Sequence, residues 1–393
     1  MISVDQALAQ VLALARPTGP ETVDLRAALG RVLAAPAVAA LTQPPFDAAA
    51  MDGYAICADD NRPGAMLTVV GEAAAGRGHA GALTPGQALR IFTGAPVPAG
   101  AGVVVLQEHV TRTGATITLP PIPEAHSNIR PAGQDFRLGE MLAPPLRLTA
   151  RHLGLLAAMN VPQVTVARRP VVALLATGDE LVMPGEVPGP GQIVSSNSFL
   201  LAAMAEEAGA DVRMLPIARD TDASLRFALG LAEGADLIVT SGGASVGEHD
   251  LVARIAAQMG LDLAFHRIAM RPGKPLMAGR MGSAAFLGLP GNPVSAFACA
   301  HLFLRPMLAA MQGLPDASPT LRAELAEAVG PTGPRRSFLR AQLAPGAALP
   351  RITPCRNQDS ALVSVLATAD ALLIRPEGDG PRAAGEIVDY LLI

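Results

Sequence analysis

Residues 236–250, DLIVTSGGASVGEHD, constrain this chain more than any other stretch. Residues 236–239 have the make-up of a short strand buried inside a parallel sheet. Thr240-Ser241-Gly242-Gly243 then turns sharply, and two adjacent glycines let backbone N–H groups approach a ligand with no Cβ in the way, as in an anion-binding nest. Glu248 and Asp250 open a helix expected over 251–259, whose dipole favours negative charge at that end. Strand, glycine turn and helix start together make a phosphate or anion cradle. The same small residues also close an ordinary βα turn of a doubly wound domain, and locally the two readings balance.

At 393 residues the chain exceeds one ordinary core, so two to four domains are expected. No run of eighteen or more apolar residues is free of charge or proline, which predicts no membrane span. Asp5 stands where a signal peptide needs basic residues, so a cytoplasmic location is the expectation. Cys57, Cys299 and Cys355 are odd in number and scattered, against a disulfide framework or a zinc ribbon. A net charge of −4 gives no reason to expect nucleic acid. Of thirty basic side chains, Lys274 is the only lysine. In so arginine-rich a chain, a lone lysine suggests a position that needs a compact ammonium, where a planar guanidinium would not serve; chance retention is the blander reading.

In order, the chain opens with an amphipathic helix capped by Ser3, with Val4, Leu8, Val11 and Leu12 in one apolar stripe. A second helix is expected over 25–33. FDAAAMDGYA (46–55) pairs Asp47 and Asp52 with Phe46 and Tyr54, and 55–139 alternates short strands with Gly and Pro turns, as a small inserted β domain would. A helix over 150–159 leads to the Arg168-Arg169-Pro170 boundary, and a βαβα pattern follows. Three successive strand-end loops of that pattern carry Asp179 and Glu180, Asp220 and Asp222, and Glu248 and Asp250. Strand ends of open α/β sheets are where ligands bind, and acids gathered on one rim repel unless a divalent cation sits among them; oxygen-only ligation suits Mg²⁺. Each acid alone has the blander explanation of a helix cap or a first-turn carboxylate; recurrence across three loops favours the functional rim.

Arg271-Pro-Gly-Lys274-Pro fixes two cations on a stiff frame suited to an oxyanion. Leu289-Pro290-Gly-Asn-Pro293-Val-Ser starts a long helix expected over 294–311, whose first-turn amides would also face an anion. Residues 316–393 carry short strands and Gly/Pro turns, expected as a small barrel or sandwich.

FDAAAMDGYA, RIFTGAP, NIRPAGQD, TGDEL, TSGGASVGEHD, RPGKP and LPGNPVS occur together and in order, and on these motifs the chain resembles the MoeA family of molybdopterin molybdenumtransferases over essentially its whole length. The resemblance implies four domains: an elongated discontinuous one (1–45 with 140–168), an inserted β domain (46–139), a doubly wound molybdopterin-binding α/β domain (169–315) and a C-terminal β-barrel-like domain (316–393). It implies cleavage of adenylylated molybdopterin with insertion of molybdate at the dithiolene, AMP release and a need for Mg²⁺. Glu180, Asp220 and Asp250 match acids placed around the metal and the phosphoanhydride. Ser241, Gly242, Gly243, Ser245, Pro290 and Pro293 fall in the substrate-binding motifs. Arg271, Lys274, Arg340 and Ser360 match the molybdate pocket, and Asp52, Thr93, Arg130 and Asp135 match functional positions of the N-terminal half, which in an elongated homodimer would serve the partner's cleft. A molybdopterin adenylyltransferase and molybdoenzyme chaperones are further implied partners. Two departures stand out: Arg271 where the family commonly has lysine, and no glycine just before Ser360. An adenylyltransferase or pyrophosphatase, and a non-catalytic scaffold, are the alternative readings; the full length and the pairing of RPGKP with Arg340 weigh against them.

Overall fold

The computed structural model describes residues 1–242, 251–315 and 319–393. Its centre is a six-stranded sheet in the order Asp211–Met214, Val171–Ala176, Leu237–Ser241, Ala284–Leu289, Met277–Met281, Leu261–His266. The first four strands run parallel and the last two antiparallel. Side chains alternate across such a sheet. Val172, Leu174, Leu237, Val239 and Leu287 face one core, with Leu201 and Ala205 of helix Ser196–Glu207 and with the long helix Pro293–Met311. Ala173, Leu175, Ile238 and Phe286 face the other, with Leu225 and Ala228 of helix Asp222–Gly230 and Val252 and Ile255 of Leu251–Gln258. Burial on both faces is why these strands read as continuous apolar runs.

The helix Pro293–Met311 is long and apolar enough to cross a membrane, yet 72% of its apolar window is buried inside the protein, as a core helix. It was expected as one uniform helix; residues Ala300–Leu304 form a π turn instead. Pro306 follows that turn, and a proline clashes with the carbonyl four residues before it, here Leu302, so the widened turn falls where the conflict lies.

Helix Val4–Leu14 has the expected start: Ser3 and Gln6 form a reciprocal capping box. Its buried face, Val4, Ala7 and Val11, belongs to the central α/β core, so in packing this helix joins that layer and not the elongated domain. The helix expected over 25–33 does not form. Residues Leu25–Ala27 make one 3-10 turn, Gly30 turns the chain with φ 75°, and Val32–Leu33 is a strand. It joins a four-stranded sheet in the order Pro20–Asp24, Gln163–Ala167, Val32–Leu33, Leu146–Arg147.

The inserted region is all β, a six-stranded sheet ordered Val103–Leu106, Gly53–Ile56, Gln87–Ile91, Met66–Ala73, Thr116–Thr118, Thr111–Thr113. In the C-terminal region five strands close on themselves, Arg336–Ala344 pairing both Arg351–Pro354 and Ala371–Arg375, around Leu325, Ala341, Ile352 and Leu373. Met270–Arg271 adds to this barrel in parallel, Met270 opposite Arg336 and Arg271 opposite Ser337. The RPGKP loop of the α/β domain is thereby fastened to the barrel.

Candidate functional site

The parallel strands all end on one edge, and the chain order reverses there: from Val171–Ala176 it passes to Asp211–Met214 on one side, then crosses to Leu237–Ser241 on the other. A crevice opens at such a switch point. Adjacent loops are stitched by backbone bonds, Thr177 N–H to Ser241 O (3.0 Å), Gly178 N–H to Ala218 O (3.0 Å) and Gly242 N–H to Leu289 O (3.3 Å). Gly242 has φ 92°, and a Cβ there would collide with the Thr177 carbonyl. Its contribution is therefore close approach; its amide is already taken and does not face an anion. The crevice encloses about 700 Å³ and is walled by Glu180, Asn197, Ser241, Gly242, Pro290 and Pro293.

Beyond it lies a second cavity of about 640 Å³, between the α/β domain and the barrel, walled by Arg271, Ser337, Arg335 and Ser360. Lys274, Pro275 and Ser295 border both. Neither Lys274 nor Arg271 has a side-chain hydrogen bond or ion pair to any described residue. The lysine is held in place by its backbone: its carbonyl accepts from Ile268 and Leu276, both at 3.1 Å. Gly273, at φ 106°, sits so tightly on the long helix that a Cβ would lie 2.6 Å from Cys299 Sγ.

Ser360 reaches the site from the barrel. Its Oγ accepts from Asn292 Nδ2 (3.0 Å) and its carbonyl accepts from Val294 N–H (3.0 Å). One first-turn amide expected to face an anion is therefore occupied by protein. Where a glycine was expected before Ser360, side-chain turns shape the loop: Asn357 Oδ1 accepts from Asp359 N–H and Asp359 Oδ1 from Ala361 N–H, each at 2.9 Å.

Arg340 corrects the sequence reading. It is 1% exposed, does not line the cavity, and donates to the carbonyls of Leu362 (3.1 Å), Asn357 (3.2 Å) and Asp359 (2.9 Å). It braces the loop that carries Ser360, while its Nε is buried with no partner among the described residues. Burial pulls its guanidinium below the ordinary arginine value, against the opposing effect of Cys355 and the Asp359 charge.

On the acidic rim, Asp220 is exposed and stands beside the crevice. Its N–H donates to Asp179 Oδ1 at 3.1 Å, while Arg219 ties the rim together by donating to the Asp179 and Leu181 carbonyls at 2.9 and 3.1 Å. Burial, then the charges of Asp179 and Glu180, push the Asp220 carboxyl above its ordinary value. Among the described residues no three His, Cys, Asp or Glu side chains are arranged to hold a metal. The acids present are nevertheless all hard oxygen donors whose mutual repulsion a divalent cation would relieve, so they fit magnesium better than a softer metal. Gly243, Ser245 and Asp250, with Glu248, lie outside the described residues.

Asp52, Thr93, Arg130 and Asp135 line neither cavity. Asp52 accepts from the Thr93 N–H and hydroxyl, both at 2.7 Å, and these bonds hold its carboxyl below the usual range. Arg130 lies exposed opposite Ala48 on a two-stranded ribbon, and the Asp135 N–H bonds the Gln43 carbonyl.

Sequence reasoning missed Asn197. Its Nδ2 donates to Ser241 Oγ (2.9 Å) and Gly291 O (2.7 Å), bridging two loops, while its Oδ1 is buried with no partner. Nothing local in the SSNS stretch shows that it reaches two other loops. Ser295 and Arg335 were missed as well.

Residues 2–160 match the family described as MoeA N-terminal region (domain I and II), 173–310 the probable molybdopterin binding domain, and 322–393 the MoeA C-terminal region (domain IV). The chain is 34% identical to the molybdopterin molybdenumtransferase of Haemophilus influenzae, covering 99% of this chain and 98% of that one. It is 37% identical to molybdopterin molybdenumtransferase 2 of Mycobacterium tuberculosis, covering 98% of each. Among solved structures, the molybdopterin biosynthesis moeA protein of Pyrococcus horikoshii OT3 superposes with a TM-score of 0.86 at 29% identity, covering 100% of both chains.

Proposed function

The chain belongs to the MoeA family, and from that membership we propose that it catalyses the last step of molybdenum cofactor synthesis: cleavage of adenylylated molybdopterin, insertion of molybdate at the dithiolene and release of AMP. One observation carries this reading beyond the family name. The acid-rimmed crevice and the cationic cavity share Lys274 and Ser295 as a common wall, so a phosphoanhydride in the first and a tetrahedral oxyanion in the second would be neighbours. Proximity of two bound reactants accounts for much of the rate such a site can supply.

The chain's own side chains divide the work. Lys274 and Arg271 present positive charge that no described side chain neutralises, suited to a dianion in a partly desolvated cavity. Ser360 and Ser295 add hydroxyls to the same walls. Thr177, Asn197 and Gly242 shape the crevice floor for the organic part of the substrate. Glu180, Asp220 and Asp250 are the residues that would hold a magnesium ion, which when bound neutralises charge on the anhydride. The chain works as a homodimer in the cytoplasm, receives its substrate from a molybdopterin adenylyltransferase, and lends Asp52, Thr93, Arg130 and Asp135 to the opposite subunit's crevice.

The decisive experiment mixes the purified protein with adenylylated molybdopterin, Mg²⁺ and molybdate. Release of AMP together with active cofactor, both dependent on molybdate, is the expected result. AMP release indifferent to molybdate, with no active cofactor formed, would turn the assignment to a pyrophosphatase.

A further inference from the structure

Three arginines, Arg335, Arg336 and Arg340, stand at the start of the closed barrel, Arg336 and Arg340 in its strand Arg336–Ala344 and Arg335 immediately before it. Alternate residues of a strand share a face. Arg336 points to the N-terminal helix and pairs with Asp5 through two bonds of 2.7 and 2.9 Å. Arg340, four residues on and on the same side as Arg336, is buried beneath the Ser360 loop with its two terminal nitrogens on carbonyls and its Nε without a described partner. Arg335, just before the strand, and Ser337 both line the cationic cavity, as do Phe338 and Leu339, and the parallel register sets Arg271 beside Ser337.

Arg335 is also nearly uncommitted. Among the described residues its side chain makes one hydrogen bond, a long 3.4 Å contact to the Met270 carbonyl. The other arginine of this cavity, Arg375, is 1% exposed and ion-paired with Asp379 at 2.6 Å, so it brings no free charge. Among the described residues the cavity thus holds three available cations, Arg271, Lys274 and Arg335, against one carboxylate, Asp359, which already accepts from Ala361. Three cations with hydroxyls between them outweigh one acid, and a guanidinium offers paired donors to two oxygens of a tetrahedral anion.

Resting on the function proposed above, we infer that Arg335 is a further cation of the molybdate seat, contacting the oxyanion directly beside Arg271 and Lys274. The chain then binds the oxyanion between two domains: Arg271 and Lys274 come from the α/β side, Arg335 and Ser360 from the barrel.

The test is calorimetric titration of the purified full-length protein with sodium molybdate, and separately with AMP, for the wild type, Arg335→Gln, Arg335→Lys and Arg340→Gln. Arg335→Gln is expected to weaken molybdate binding by about tenfold to a hundredfold. Its AMP affinity and melting temperature should stay at wild-type values, and Arg335→Lys should recover part of the loss. Arg340→Gln should lower the melting temperature, as loss of a buried brace requires. Molybdate binding by Arg335→Gln equal to the wild type overturns the inference and leaves the proposed function standing. A parallel loss of molybdate binding, AMP binding and melting temperature overturns it by showing a merely structural role. Failure of the wild type to bind molybdate at all removes the proposed function and the inference with it.

Discussion

Lys274 concentrates the chemistry of the molecule in one side chain, because it borders both cavities and meets no described partner. Lys274→Arg keeps the charge but replaces a compact ammonium with a broad planar fork at the wall the two cavities share. The KM for molybdate should rise about tenfold or more while the affinity for the pterin substrate changes little; an unchanged molybdate dependence in steady-state assays would make the lysine incidental. Asp220 gives a prediction with a definite sign. Its carboxyl is raised by burial and by Asp179 and Glu180, so the folded state binds the proton more tightly than the unfolded chain does. Stability is then greatest below the ordinary aspartate value and is lost as pH rises through the elevated one. Asp220→Asn should raise the melting temperature at pH 7, leave it unchanged near pH 3, and reduce the further rise that Mg²⁺ gives the wild type. Thr177 supplies a control for the crevice floor: its hydroxyl is buried without a partner, so Thr177→Val should leave thermal stability unchanged or raise it by up to ~1 kcal/mol. A loss of comparable size would show that the hydroxyl is satisfied in solution.

The RPGKP loop is the element on which residue-level chemistry depends, since its register with the barrel and its seat on the long helix place Arg271 and Lys274. Gly273→Ala puts a Cβ 2.6 Å from Cys299 Sγ at a backbone φ of 106°, which should cost about 1–3 kcal/mol and raise the KM for molybdate. Adding Cys299→Ala clears that space and should restore part of the affinity; full additivity of the two changes would show that the loop does not rest on the thiol. This loop was legible in the sequence because two prolines and a glycine fix its shape locally. The central strands Val171–Ala176, Leu237–Ser241 and Ala284–Leu289 were legible too, being buried on both faces. What failed were elements defined by distant partners. Val32–Leu33 is two residues long and pairs with Val166 and with Leu146–Arg147, so its apolar pair looked like the end of a helix until Gly30 broke that helix. Arg340 shows the same limit: motif matching fixes its position in the chain, but not that its side chain is buried behind the cavity wall.

At the scale of the whole molecule, four residues singled out by motif, Asp52, Thr93, Arg130 and Asp135, stand apart from the two cavities of their own chain. The surrounding stretches leave Phe46, Met51, Leu138 and Met141 between 40% and 66% exposed, large apolar side chains that a second subunit would cover. If these stretches complete the opposite subunit's crevice in a two-fold dimer, lesions on the two sides must complement. Asp135→Ala damages the crevice of the partner, and Lys274→Ala damages the crevice of its own chain. Each homodimer alone then has both sites broken. A mixed dimer places both lesions in one site and leaves the other intact. Random reassortment makes half the dimers mixed, each with one sound site of two, so about a quarter of wild-type activity should return after the inactive variants are denatured and refolded together. Activity that stays absent, in a mixture shown by mass to contain mixed dimers, would place both residues in the same site and confine catalysis to a single chain.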